Sequence, residues 1–182
     1  METPFAAKAA GRHPKKRRRR DVSPMRCAFL KEGDWTIRLV GDSRRLLKVE
    51  LSLDKKPPEE ADTLLFRKAK RALHRYFREG RPLEGVPLDW SRQSPFEKKV
   101  LRCVRRIPFG EVRSYGWVAR QIGIPKGARS CGQALRRNRF PLFIPCHRVV
   151  GRTGLGGFSC GVQLKEKLLS HEQRFSSKRG DR

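Results

Sequence analysis

The sequence predicts a small α/β domain followed by a mainly α-helical domain that contains a helix-turn-helix. Three observations support this prediction. Apolar residues alternate in segments before residue 53, which is typical of strands. A segment rich in proline and glycine, residues 80–90, then forms a linker. Beyond residue 94 the apolar residues recur at helical spacing. The 182 residues are enough for two small domains.

The charge of the chain indicates a polyanionic partner. It has 44 lysines and arginines against 18 aspartates and glutamates, a formal net charge of +26. Residues 91–152 hold fifteen of these basic residues and only two acidic ones. Because this concentration lies in a region with the pattern of a folded domain, it predicts a nucleic-acid-binding face.

The first 25 residues are expected to form a disordered basic tail. Pro14 to Arg20 carries six consecutive basic residues after the proline and no apolar side chain that could be buried. The run suits either a nuclear import signal or a non-specific DNA clamp. The sequence of the tail does not separate the two.

Residues 26–90 are assigned to the α/β domain with its linker. Strands are expected at Trp35–Val40 and Leu47–Leu51, within a strand-rich region at 26–53. A helix is expected over 60–79, ended by Gly80. One face of this helix is apolar and should be buried: Leu65, Ala69, Ala72, Leu73 and Tyr76.

Residues 91–175 are assigned to the helical domain, with 176–182 as a tail. Ser94-Pro95-Phe96-Glu97 predicts a capped helix start. The apolar face that follows is Phe96, Val100, Cys103, Val104 and Ile107. Helices at about 114–122 and 127–138 form the helix-turn-helix outline, with arginines on the second helix where it would meet DNA. A last helix is expected from about 162 to 172.

The cysteines indicate a reducing compartment. The five cysteines are widely spaced, none forms a C-x-x-C pair, and the N-terminus has no secretory signal. No apolar stretch is long enough for a membrane span. No metal or other cofactor is expected, because the soft ligands before residue 91 are only His13, Cys27 and His74.

Cys146 is the candidate nucleophile. It follows Pro145 and precedes His147 within the mostly apolar segment 140–150. A thiol reacts as the thiolate, so it needs a base or a positive environment. Since neighbours in a strand point to opposite faces, a contact between Cys146 and His147 requires a turn or a bridging water. The candidates for a third group that orients the base are Glu172 and Asn138.

The segment Ile144-Pro145-Cys146-His147-Arg148-Val149 resembles the active-site signature of the O6-alkylguanine-DNA alkyltransferases, also called methylated-DNA–protein-cysteine methyltransferases. Further motifs follow in family order from about Ser94 to Glu172, with a weaker match back to residue 26. They are Phe109-Gly110-Glu111-Val112, Ser114-Tyr115, Ala128-Arg129, Asn138, Gly157-Phe158-Ser159, Lys165-Glu166 and His171-Glu172. The resemblance implies a ribonuclease-H-like N-terminal domain.

The resemblance also implies residue roles in a single-turnover repair reaction. Cys146 accepts the alkyl group of O6-alkylguanine, with O4-alkylthymine as a further candidate. His147 deprotonates the thiol through a water, Glu172 orients His147, and Asn138 supports the active-site turn. Tyr115 contacts the flipped base and protonates the leaving guanine. The walls of the guanine pocket are Val149, Phe158, Ser159 and Cys160.

The implied partner is double-stranded DNA containing O6-alkylguanine, bound through the minor groove by a monomer. Arg129 fills the gap left by the flipped base, and the other positions against DNA are Tyr115, Gly116, Ile124, Ser130, Arg136 and Arg152. The expected location is intracellular, nuclear in a eukaryote and cytoplasmic in a prokaryote. Cys160 departs from many relatives, which have glycine there, and is expected to hinder bulky adducts.

Three other functions remain to be compared. An alkyltransferase-like protein binds the same lesions but replaces the reactive cysteine, whereas Cys146 is present here. A transcription regulator would need a dimerisation region and no Cys-His-Arg segment. A cysteine hydrolase would give no reason for the excess of basic residues around the site.

Overall fold

A computed structural model of the chain describes residues 24–52 and 61–180. The predicted basic tail, residues 1–25, lies almost entirely outside this range. Among the described residues, no helix is long and apolar enough to cross a membrane.

Three antiparallel strands form the N-terminal sheet in the order β1-β2-β3. They are β1 (Arg26–Glu32), β2 (Trp35–Gly41) and β3 (Leu46–Ser52). Leu39 in the central strand pairs with Ala28 on one side and Val49 on the other, and all three side chains are buried. The strands predicted from alternation are therefore confirmed.

Helix α1 (Leu64–Glu79) packs its apolar face against the sheet. It starts later than residue 60 because the Thr63 hydroxyl caps it by accepting from the backbone N–H of Phe66. Gly80 ends it in the left-handed conformation, with φ of 64°. All five residues of the predicted apolar face are buried.

The predicted linker is fixed against β3. Leu88 pairs with Leu46 in parallel, through hydrogen bonds from the Leu46 N–H to the Pro87 oxygen (2.9 Å) and from the Asp89 N–H to the Leu46 oxygen (2.7 Å). Val86 and Leu88 are buried. Residues 80–90 therefore connect the two parts of the chain as ordered structure.

The C-terminal part contains α2 (Pro95–Arg105), α3 (Tyr115–Gln121), α4 (Ala128–Arg136) and α5 (Val162–Gly180). This part also contains two short strands, β4 (Arg113–Ser114) and β5 (Val149–Val150), which pair with each other in parallel. The predicted capping box of Ser94 and Glu97 is confirmed. Of the predicted apolar face of α2, Val100, Val104 and Ile107 are buried and Cys103 is half-buried, whereas Phe96 in the first turn is 37% exposed.

Helix α5 is longer than predicted. It continues beyond residue 172 to Gly180, through most of the segment assigned to a tail. The added turns pack on the rest of the chain, because Phe175 lies against Gly80 at the end of α1. Within α5, the Phe175 ring contacts His171 at 5.1 Å. Ser176 lies against Gly110 in the same way. These contacts explain why the helix does not end at Glu172.

Candidate active site

Asn138 holds the cysteine in a buried turn. Cys146 begins a single 3₁₀ turn, Cys146–Arg148, and only 4% of its surface is exposed. The Asn138 side-chain amide donates to the Cys146 Sγ at 3.0 Å and to the Ile144 oxygen at 2.9 Å. Its oxygen accepts from the Phe140 N–H at 3.0 Å. Asn138 therefore holds both ends of the segment 140–144 and the Cys146 sulfur.

His147 turns away from Cys146 towards α5. Its Nε2 lies 2.9 Å from the Glu172 Oε1, and both side chains are buried. The two candidates for a third group thus have separate tasks, because Glu172 orients the histidine and Asn138 orients the thiol. The His147 Nδ1 is buried and has no hydrogen-bond partner among the described residues.

Glu172 accepts hydrogen bonds from several parts of the chain. The Tyr76 hydroxyl donates to Oε1 at 2.6 Å, and the Gly110 N–H donates to Oε2 at 2.9 Å. Arg148 donates from Nη2 to Oε1 at 2.8 Å and from Nε to Oε2 at 2.9 Å. The carboxylate is therefore fully bonded inside the protein, as a buried charge requires.

Burial and hydrogen bonding together set the protonation states of the site. Burial raises the pKa of the Cys146 thiol to about 12, against the opposing effect of the Asn138 amide. Burial lowers the pKa of His147, although Glu172 opposes this shift. Burial would raise the pKa of Glu172, but hydrogen bonds from His147 and Arg148 outweigh it and hold that pKa well below its usual range. At neutral pH the site therefore contains a neutral thiol, a neutral imidazole and an ionised carboxylate.

A cavity of about 720 Å³ opens above Cys146. Seven of the other predicted site residues line it: Tyr115, Gly116, Arg129, Arg136, Arg152, Phe158 and Ser159. The Tyr115 hydroxyl donates to the Gly157 oxygen at 3.1 Å, at the wall of the cavity. The rim is basic, with exposed arginines at 120, 129, 136 and 152. None of these four pairs with a carboxylate among the described residues.

Besides Asn138, His147 and Glu172, four predicted site residues do not line this cavity. Val149 is buried behind it, Ile124 lies in the turn between α3 and α4, and Ser130 is exposed on α4. Cys160 lines a separate groove beside Leu51 of β3. Neither Val149 nor Cys160 lines this cavity, and their assignment to the wall of the guanine pocket stays a prediction.

Three polar contacts near the site were not predicted. From the sequence, we assigned Arg148 no role beyond its charge, Tyr76 only a core position, and Lys165 only a place in a motif. Lys165 is fully buried, and its Nζ donates to the Val149 oxygen at 2.6 Å and to the Gly157 oxygen at 3.3 Å. Burial lowers the pKa of Lys165 to about 8. For Tyr76 and Lys165, the signal available in the sequence was a polar side chain within the apolar face of a helix.

These features define a protein with a buried cysteine at the floor of a basic cavity that opens to the surface. Residues 95–174 match the family model described as 6-O-methylguanine DNA methyltransferase, DNA binding domain. The chain belongs to the methylated-DNA–protein-cysteine methyltransferase family.

Individual relatives agree with this assignment. The chain is 40% identical to the constitutive methylated-DNA–protein-cysteine methyltransferase of Bacillus subtilis, over 63% of this chain and 70% of the relative. It is 38% identical to the Methanosarcina acetivorans methyltransferase, over 75% of this chain and 90% of the relative. Among solved structures, Mycobacterium tuberculosis OGT in complex with DNA matches with a TM-score of 0.72 and 31% identity, covering 82% of this chain and 93% of that one.

Proposed function

We propose that this chain repairs duplex DNA by moving the alkyl group of O6-alkylguanine irreversibly onto Cys146. The observation that carries the proposal is the Cys146 thiol at the floor of an open, arginine-rimmed cavity, backed by His147 and Glu172. The activity in the names of the relatives agrees with that arrangement. O4-alkylthymine is a further candidate substrate because it also presents an alkylated exocyclic oxygen.

His147 is the base that receives the thiol proton. Its Nε2 is held by Glu172, so only Nδ1 remains for proton transfer. We assign a bridging water between Nδ1 and the Cys146 Sγ, since the two side chains share no hydrogen bond in the described structure. Proton transfer leaves a thiolate that the Asn138 amide stabilises and an imidazolium beside the Glu172 carboxylate.

The sulfur then attacks the alkyl carbon, and the bond from that carbon to O6 breaks. Tyr115, at the cavity wall, gives its phenol proton to the base so that neutral guanine leaves. Solvent returns a proton to Tyr115 and removes one from His147. Because a thioether has no good leaving group, Cys146 is consumed and each molecule reacts once.

The basic rim binds the DNA backbone while the damaged base enters the cavity. A base within a duplex cannot reach a buried thiol, so it must rotate out at a cost of about a few kcal/mol. Arg129, exposed in the first turn of α4, is placed to fill the gap. We propose that α3 and α4 act as a helix-turn-helix in the minor groove, where little base readout is needed.

The remaining assignments rest on the fold. The antiparallel sheet followed by α1 supports a ribonuclease-H-like N-terminal domain, residues 26–90, joined to an alkyltransferase domain that begins at 91. Phe158 and Ser159 form pocket walls. We propose that the protein acts as a monomer inside the cell, where thiols stay reduced.

Intact-protein mass spectrometry after mixing with a duplex containing one O6-methylguanine tests the proposal. We expect a mass gain of one CH2 unit at Cys146, limited to one per molecule. Cys146→Ala should bind the same duplex and gain no mass. A wild-type protein that binds the lesion without gaining mass, or that gains it elsewhere, would refute alkyl transfer to Cys146.

A further inference from the structure

Tyr76 connects the N-terminal part of the chain to the carboxylate behind His147. It lies on α1 and is fully buried. Its hydroxyl donates to the Glu172 Oε1 at 2.6 Å, across 96 residues of sequence. The same oxygen lies 2.9 Å from the His147 Nε2. One carboxylate oxygen is therefore shared between Tyr76 and the imidazole.

Aromatic contacts on several sides fix the position of this hydroxyl. The Tyr76 ring meets Phe109 edge to face at 5.5 Å and stacks on His171 at 5.5 Å. The ring of Phe77 approaches edge-on at 5.0 Å. The His171 Nε2 lies 3.3 Å from the backbone oxygen of Tyr76, which ties α5 to the same point of α1. The ring cannot turn its hydroxyl away without displacing these neighbours.

We propose that Tyr76 is a positioning residue for alkyl transfer. Its hydroxyl holds the Glu172 Oε1 at the place where that oxygen fixes the tautomer and orientation of His147. The proposal rests on the proposed function above, because it requires His147 to receive the thiol proton. It assigns a part in the reaction to the N-terminal part of the chain.

The other groups around the carboxylate do not replace this contact. Arg148 spans both oxygens and neutralises the charge, and the Gly110 N–H binds only Oε2. Apart from His147 itself, Tyr76 is the one neutral side chain that contacts Oε1 alone among the described residues. Burial and the charge of Glu172 raise the pKa of Tyr76, so the hydroxyl remains a donor across the accessible pH range.

Removing the hydroxyl should change both geometry and charge. Oε1 would lose one of its anchors, so the imidazole would be held less firmly. Oε1 would also keep more negative charge facing His147, which favours the imidazolium form. Arg148 and Lys165 oppose that form, but neither changes in the variant. His147 should therefore hold a proton up to a higher pH and lose its capacity as a base there.

The test compares single-turnover alkyl transfer by the full chain and by Tyr76→Phe across pH. We expect the plateau rate to fall about tenfold, as for loss of one hydrogen bond to a charged group. We also expect the acidic limb of the profile to move to higher pH, with affinity for the duplex unchanged. Arg45→Met is the matched control, because it breaks the contact of Arg45 with buried Asp89 (3.2 Å) and changes none of the Glu172 partners named above.

A second background separates positioning from general destabilisation. In His147→Gln, Tyr76→Phe should cause no further loss of rate, because the hydroxyl acts only through the imidazole. An equal fold loss in both backgrounds, or a profile that falls without shifting, would overturn the proposal. So would an unchanged rate in Tyr76→Phe. If the wild-type protein transfers no alkyl group at all, the proposed function fails instead.

Discussion

Replacing Arg148 by methionine should destabilise the protein more than any single contact of the arginine suggests. Arg148 is 5% exposed, and its guanidinium donates to both oxygens of Glu172 and to the Ile107 oxygen at 2.7 Å. Methionine fills much of the same volume without charge. The variant therefore leaves Glu172 buried with its partners reduced to Tyr76, Gly110 and His147.

The magnitude follows from the cost of an uncompensated buried charge. Breaking a buried ion pair by removing one partner typically costs about 3–5 kcal/mol of unfolding free energy. Arg137→Met provides the control, because that arginine is 75% exposed and pairs with Glu97 at 3.1 Å. A pair with an exposed partner of this kind contributes about 0–1 kcal/mol.

Urea unfolding at several pH values measures both effects. Because the folded pKa of Glu172 is depressed, the ionised carboxylate stabilises the protein above the ordinary glutamate pKa, and that stability is lost as the pH falls towards the folded value. Arg148→Met should raise this pKa and flatten the acid-dependent loss. A loss at neutral pH no larger than in Arg137→Met would refute the reasoning.

Three further predictions concern the reaction and DNA. Arg129→Ala should reduce base flipping more than overall affinity, measured by 2-aminopurine fluorescence in the duplex, with Arg137→Ala as control; equal losses in both would contradict the role of Arg129. Affinity should fall with salt at a log–log slope of about −0.9 per phosphate neutralised, since the rim arginines have no carboxylate partners within the described part of the chain; a flat response would exclude a phosphate-binding rim. Burial lowers the pKa of His147, so the transfer rate should hold constant from neutral pH to below the usual histidine range; a decline that starts at or above that range would show an imidazole with a higher pKa.

Local patterns predicted most of the fold. The apolar stripe of α1, the left-handed Gly80 and the capping box at Ser94 depend on neighbours in sequence, and each is confirmed. The end of α5 was missed because its last turns are held by distant contacts of Phe175 and Ser176. No sequence pattern within residues 173–180 predicts those contacts.

The site was predictable as a set of residues and less so as a network. The signature around Cys146 indicated the nucleophile, and the structure places Asn138 against its sulfur and pairs the adjacent His147 with Glu172. Tyr76 could not be assigned from the sequence, because a tyrosine on a buried helical face usually only packs. Its partner lies in another helix, and helical periodicity does not tell which hydroxyl meets which carboxylate.

The fixed pitch of α5 sets the distance between two side chains that hold the site. Lys165 contacts the loop at Gly157, and Glu172 contacts His147. The two residues are seven positions apart on this helix, which corresponds to a rise of about 10 Å. One inserted residue between them would turn the carboxylate about 100° around the helix axis while leaving the lysine in place. The relative positions of Lys165 and Glu172 therefore depend on the length of the helical segment between them. That segment should tolerate insertions less well than substitutions.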